Sequence, residues 1–295
     1  MGRYPPPPPF SASKIVAAAL IGLIGLFSLT GCAVKIPVNK ESAATNYKTV
    51  SLKQEAKTKY VIAVVAPQIV VPNVSAPAVN AGNQSALAQF IQAKRVQGYV
   101  ANNHFVQLHQ TLLSNAFEQV FLDILNKKGF NTTGPFKTFN DMTQPEKREA
   151  YLAATPYLTI NFVDSGLSTG KVIDDLYYSQ KGTLTLVGEF FVRFTEPLSS
   201  ETMINKRINL ADLKISVKDY VYEVQIREKG ADAADTMLLK MKAPASITDN
   251  TEKVVAELLN EFFSKAVDKI IPYISREELL NLEDSVAEIK KLKRY

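Results

Sequence analysis

The chain has 295 residues, of which 46% are hydrophobic and 21% charged, enough apolar material to bury a substantial core. Its formal charge is +5; Arg3 and Lys14 supply two of these, so residues 32–295 carry +3 with scattered charges, which argues against a nucleic-acid binder. The single cysteine, Cys32, excludes a disulfide within the chain.

Residues 15–29 form an apolar run of 15 residues behind Arg3 and Lys14. That is shorter than the about 20 residues a spanning helix needs, and right for a signal-peptide core. The run ends in Leu29-Thr30-Gly31-Cys32. Small residues before a cysteine at that place resemble the bacterial lipobox, in which the thiol takes a diacylglycerol and the new amino terminus another acyl chain. Residues 1–31 are therefore expected to be a lipoprotein signal peptide, with lipidation at Cys32. Each acyl CH₂ contributes ~0.8 kcal/mol on entering a bilayer, so several chains together anchor durably. Ala33, where an aspartate would signal inner-membrane retention, points by lipoprotein sorting to the outer membrane, on either of its faces.

Residues 32–59 are polar and aperiodic, and read as a lipidated tether ahead of a domain at 60–295. Residues 60–71 are rich in Val and Ile and read as a strand; 72–85, rich in Pro, Asn, Ala and Ser, read as a loop. A short helix is expected at 87–99 and a long one at 102–128. In the latter Phe105, Leu108, Leu112, Ala116, Val120, Phe121, Ile124 and Leu125 recur at helical steps, and Gly129 offers a C-terminal cap. Residues 157–164 and 183–195 alternate, with Leu184, Leu186, Phe190, Val192 and Phe194 on one face. After a turn at 196–200, strands return at 203–210 and 220–227, suggesting an antiparallel meander. A helix carries Val254 to Ile271, with Asp249 and Glu252 as a capping box and Pro272 at its end. A last helix, capped by Ser275 and Glu278, runs into a basic end that reads as solvated. The expected fold is one α+β domain, an antiparallel sheet with long amphipathic helices packed on one face.

Residues with chemistry are few. His104 and His109, five apart on an α-helix, lie about 140° apart and cannot share a metal. Residues 166–171 (GLSTGK) depart from a phosphate loop in spacing and in the residue after the lysine, and read as a turn. No catalytic set, metal set or cofactor motif emerges, so a non-enzyme is expected; a hydrolase would need carboxylates converging in a cleft. Lys171, Tyr177, Tyr178 and Lys181 form the candidate ligand site: loop tyrosines stack on sugar faces, and lysines pair with a sugar carboxylate.

The segments 146–153 (EKREAYLA), 188–201 (GEFFVRFTEPLSSE) and 210–215 (LADLKI) resemble the neuraminyllactose-binding hemagglutinin family. Gly129-Phe130 after a helix, and a closing helix with a lysine-rich tail, extend the resemblance loosely from about residue 60 onward. The resemblance implies an outer-membrane or flagellar-sheath lipoprotein of a spiral Gram-negative bacterium, acting as an adhesin or hemagglutinin on sialylated host glycan. A structural lipoprotein bound to an envelope protein is the alternative. The family's basic glycan motif corresponds here to 171–181 (KVIDDLYYSQK), whose centre, Asp174 and Asp175, repels a sialic-acid carboxylate. About 72–101 is extra to the family pattern.

Overall fold

The structure, a computed structural model, describes residues 36–47, 51–72, 99–169, 177–225, 237 and 245–292. The loop expected at 72–85 and the helix at 87–99 lie almost wholly outside these residues. One sheet contains β1 (Val38–Lys40), β2 (Val61–Val65), β3 (Gln68–Val70), β4 (Asn131–Phe136), β5 (Leu152–Thr169), β6 (Tyr177–Glu196), β7 (Glu201–Asn209), β8 (Lys218–Gln225) and β9 (Ile247–Asp249). Its order is β1-β9-β8-β6-β5-β2-β4, with β3 also on β5 and β7 also on β6.

The long antiparallel pair β5–β6 is the spine, in one register from Ala153 opposite Thr195 to Ser165 opposite Thr183 and, after a shift, on to Thr169 opposite Gln180. Strand side chains alternate between faces, so Leu158, Ile160 and Phe162 of β5 and Leu184, Leu186, Phe190, Val192 and Phe194 of β6 all bury on one face, as the pattern predicts. Gly188 lies opposite Ile160 at φ +142°, and a Cβ there would sit 1.9 Å from the Thr159 carbonyl oxygen. Only glycine lets the two strands approach so closely at that point.

The helices are α1 (Tyr99–His104), α2 (Gln110–Lys127), α3 (Gln144–Glu149), α4 (Thr251–Tyr273), α5 (Arg276–Leu280) and α6 (Glu283–Leu292). The inner face of the sheet carries α2 and α4. Phe117 of α2 stacks on Phe190 of β6 at 5.1 Å and meets Phe262 and Phe263 of α4 at 5.8 and 4.9 Å. Ser275 caps α5 as the sequence predicts, its Oγ accepting from the Glu278 N–H.

The expected strands pair antiparallel, β6 with β5, β7 and β8, and further strands make the sheet mixed though mostly antiparallel: β2 pairs in parallel with both β4 and β5, β3 with β5, and β1 with β9. The return through α2 makes β2 and β4 parallel, and the sequence Asn131–Phe136 has no alternation to announce a strand. The turn expected at 166–171 is strand through Thr169.

The first half of the long helix is out of phase with its apolar pattern, while Val120, Phe121, Ile124 and Leu125 bury as expected. Residues Phe105–His109 form a π-turn, with the Gln110 N–H donating to the Phe105 carbonyl. This wider turn shifts every later side chain around the axis. Burial runs Phe105, His109, Leu113, Phe117, while Leu108 and Leu112 are 45% and 49% exposed. It also sets His104 and His109 closer to one face than an α-helix would, and His104 acts electrostatically on His109.

Residues 36–47 and 51–59, expected as tether, are part of the fold. Ile36 is buried, β1 pairs with β9, and the Tyr47 ring lies 4.5 Å from that of Phe263. Leu52 packs against the core, and the N–H groups of Glu55 and Thr58 donate to the carbonyls of Lys127 and Gly129 at the end of α2. Gly129, at φ +85°, has no room for a Cβ against the Ala56 carbonyl. Apolar residues so widely spaced leave no periodicity, which is why composition alone reads the segment as solvated.

Candidate functional site

The expected loop tyrosines belong to β6 and are buried: Tyr177 is 4% and Tyr178 2% exposed. Continuing the alternation from Leu184 back along β6 puts Tyr178 and Gln180 on the inner face, with Asp164 of β5 and Tyr220 of β8. The Tyr178 hydroxyl donates to Gln180 Oε1 at 2.9 Å. Gln180 Nε2 donates to Asp164 Oδ2 and to the Tyr220 oxygen, and the Tyr220 hydroxyl donates to the same Asp164 oxygen at 3.2 Å. Burial, and then Asp164 beside it, hold the Tyr220 phenol well above its ordinary pKa. Burial pushes that of Tyr177 up to about 12. These tyrosines hold the far end of the spine together and offer no ring to a sugar. Lys181 is exposed, with Ser168 and Val221 as its cross-strand neighbours. Lys171 and Cys32 lie outside the described residues, so the four residues of the expected ligand site are not seen to converge.

A half-buried aromatic platform lies on the other face of the sheet. Tyr157 of β5 and Phe191 of β6 are cross-strand neighbours, stacked at 4.9 Å with 14° between their planes. The Arg193 guanidinium lies over both rings, 4.8 Å from Tyr157 and 5.8 Å from Phe191. Arg207 of β7 stands opposite Phe191 and pairs with Glu189. Tyr157, Phe191 and Arg193 are half-buried, and the Arg207 side chain is 63% exposed. A guanidinium stacked on a ring keeps its in-plane N–H donors available, and their fork matches a carboxylate. Ring faces take the apolar face of a sugar. Alternation in residues 188–194 (GEFFVRF) shows that Phe191 and Arg193 point outward; only the register adds Tyr157 and Arg207.

A cleft of about 300 Å³ opens at the near end of the spine, between the start of β2 and α6. Tyr60 and Tyr151 meet there at 4.4 Å, and Lys59 lies over the Tyr60 ring and 3.0 Å from Glu283. Lys290, expected in a solvated tail, instead donates to the carbonyls of Arg148 and Ala150. Glu149 and Glu283 both line the cleft. The Tyr60 hydroxyl and the Lys59 ammonium hold the Glu283 carboxyl below its ordinary range. Among the described residues, no group of three or more His, Cys, Asp or Glu could hold a metal ion, and no helix is long and apolar enough to cross a membrane.

No family model matches the chain, and no curated protein matches it. Among solved structures, one from Helicobacter pylori, described as a homologue of the neuraminyllactose-binding hemagglutinin, aligns at TM-score 0.50 and 14% identity, over 84% of this chain and 100% of that one. A Xanthomonas campestris protein of the DUF330 family aligns at TM-score 0.29 and 8% identity, over 82% of this chain and 99% of that one. At 14% identity the first likeness shows the fold alone; the second is too distant to bear on it.

Proposed function

We propose that this chain is a lipid-anchored binding protein of the bacterial outer membrane, an adhesin and not an enzyme, whose outer sheet face holds a carbohydrate bearing a carboxylate, such as a sialylated glycan. The observation that carries this reading is the platform of Tyr157 and Phe191 under Arg193, with Arg207 alongside. Stacked rings supply affinity for a sugar face, and charge-assisted hydrogen bonds supply selectivity for its acid group. The fold likeness to a protein described as a hemagglutinin homologue supports it, and so does the lipobox at Cys32. The repulsive Asp174 and Asp175 are not among the residues of this platform.

A glycan array probed with the purified protein tests the binding reading: signal on sialylated glycans is expected, and a blank array sinks it. Anchoring is tested separately by feeding cells a palmitate analogue. Label should enter the chain and vanish in Cys32→Ser.

A second reading, a structural lipoprotein of the envelope or flagellar sheath bound to a protein partner, draws on Val106, Leu108 and Leu112. The π-turn leaves these three apolar side chains exposed. In-cell cross-linking decides it: an adduct through this stripe supports a partner, and recovery of monomer alone argues against one.

A further inference from the structure

The cleft between β2 and α6 is separate from the platform, since it is lined by residues at the start of β2 and along α6. We propose that it is a docking pocket for the ammonium group of a lysine side chain on a partner protein, and that Lys59, at its rim, competes for the same ring and carboxylate in the free chain.

The pocket has the parts such a ligand needs. The Tyr60 ring is half-buried at its wall, backed by Tyr151, whose hydroxyl is fixed to the Leu279 carbonyl at 2.8 Å. An aromatic face attracts a cation through its quadrupole. Glu283 and Glu149 supply two carboxylates at the rim. The Lys290 ammonium is turned toward the backbone, donating at 2.9 and 2.6 Å to the Arg148 and Ala150 carbonyls. With Lys290 engaged there, the two carboxylates dominate the mouth once Lys59 leaves.

The occupant can be read from the chain itself. The Lys59 ammonium sits 5.1 Å from the Tyr60 ring centroid and 3.0 Å from Glu283, so an alkylammonium fits between ring and carboxylate. Yet the Lys59 side chain is 74% exposed, and exposed ion pairs of this kind hold weakly. A lysine presented by a folded partner, with its backbone already placed, can displace it. The pocket of about 300 Å³ lies at the lower limit of small-ligand sites and suits one side chain rather than an extended ligand.

The test uses the full-length chain and two probes, Nα-acetyl-lysine methylamide and its uncharged Nε-acetylated form, with binding followed by NMR shifts. Saturable shifts at Tyr60, Val61 and Ala287 are expected with the charged probe only. Lys59→Ala should tighten binding by about threefold or more, because it removes the competitor, and Glu283→Gln should weaken it by about tenfold. Arg193→Gln, on the platform, should leave this binding unchanged while it alters glycan binding, so the two sites succeed or fail independently. Absence of saturable shifts in both the parent and Lys59→Ala overturns the proposal. So do equal binding of the acetylated probe and weaker binding in Lys59→Ala.

Discussion

His109 shows most directly what a single residue contributes here. It is 5% exposed at the end of the π-turn, and neither ring nitrogen has a hydrogen-bond partner among the described residues. Burial lowers its pKa below 6.5, with Glu252 opposing the shift and His104 adding to it. Above about pH 6.5 the imidazole is neutral in both states. As pH falls below that value, the unfolded chain takes up a proton that the folded one resists, so stability declines. Denaturation midpoints should therefore drop between about pH 7.5 and about pH 5.5, and drop less in His109→Leu; parallel slopes for the two proteins would contradict this. Gly188 is the second such residue. A Cβ 1.9 Å from the Thr159 oxygen, at φ +142°, must push β5 and β6 apart. Gly188→Ala should cost about 3 kcal/mol in chemical denaturation. Neither role could be read from the sequence. The histidine depends on a helical turn of unexpected width, and the glycine on a register set by a strand some thirty residues away.

At the scale of elements, legibility followed periodicity. Helix α4 and strand β6 have strong apolar repeats and fold where those repeats place them. Helix α2 has a repeat that a π-turn breaks, so Leu108 and Leu112 were placed inward in error, while Val120, Phe121, Ile124 and Leu125 bury as expected. The segment 36–59 has no repeat at all. Its burial comes from Ile36, Tyr47 and Leu52, each docking singly onto elements far away in sequence. A chain beginning at residue 60 should therefore lose about 4 kcal/mol or more relative to one beginning at 36, since each buried apolar side chain contributes about 1.5–3 kcal/mol. Equal melting temperatures for the two would restore the tether reading. Phe117, touching Phe190, Phe262 and Phe263, joins sheet and helices; Phe117→Ala should cost about 3–5 kcal/mol in a denaturant titration, and a loss under about 1 kcal/mol would contradict that role.

For the whole molecule, one long hairpin divides the labour. Its inner face is a core shared with two helices, with a polar network closing the far end. Its outer face carries aromatic and guanidinium groups that no core needs. Sequence alternation sorted these faces correctly but began the strand at Thr183, so the buried strand residues Tyr177 and Tyr178 looked like loop residues. The platform itself is assembled across three strands, and no local pattern encodes which strands become neighbours. The central claim is that Arg193, over Tyr157 and Phe191, selects an acidic sugar. Titration calorimetry with sialyllactose and with lactose, on the parent protein and on Arg193→Gln, tests it directly. The parent should prefer sialyllactose by about tenfold or more, as a charge-assisted hydrogen bond of about 1.5–3 kcal/mol implies, and the variant should lose that preference. A parent that binds neither sugar, or a variant that keeps the full preference, would contradict the claim.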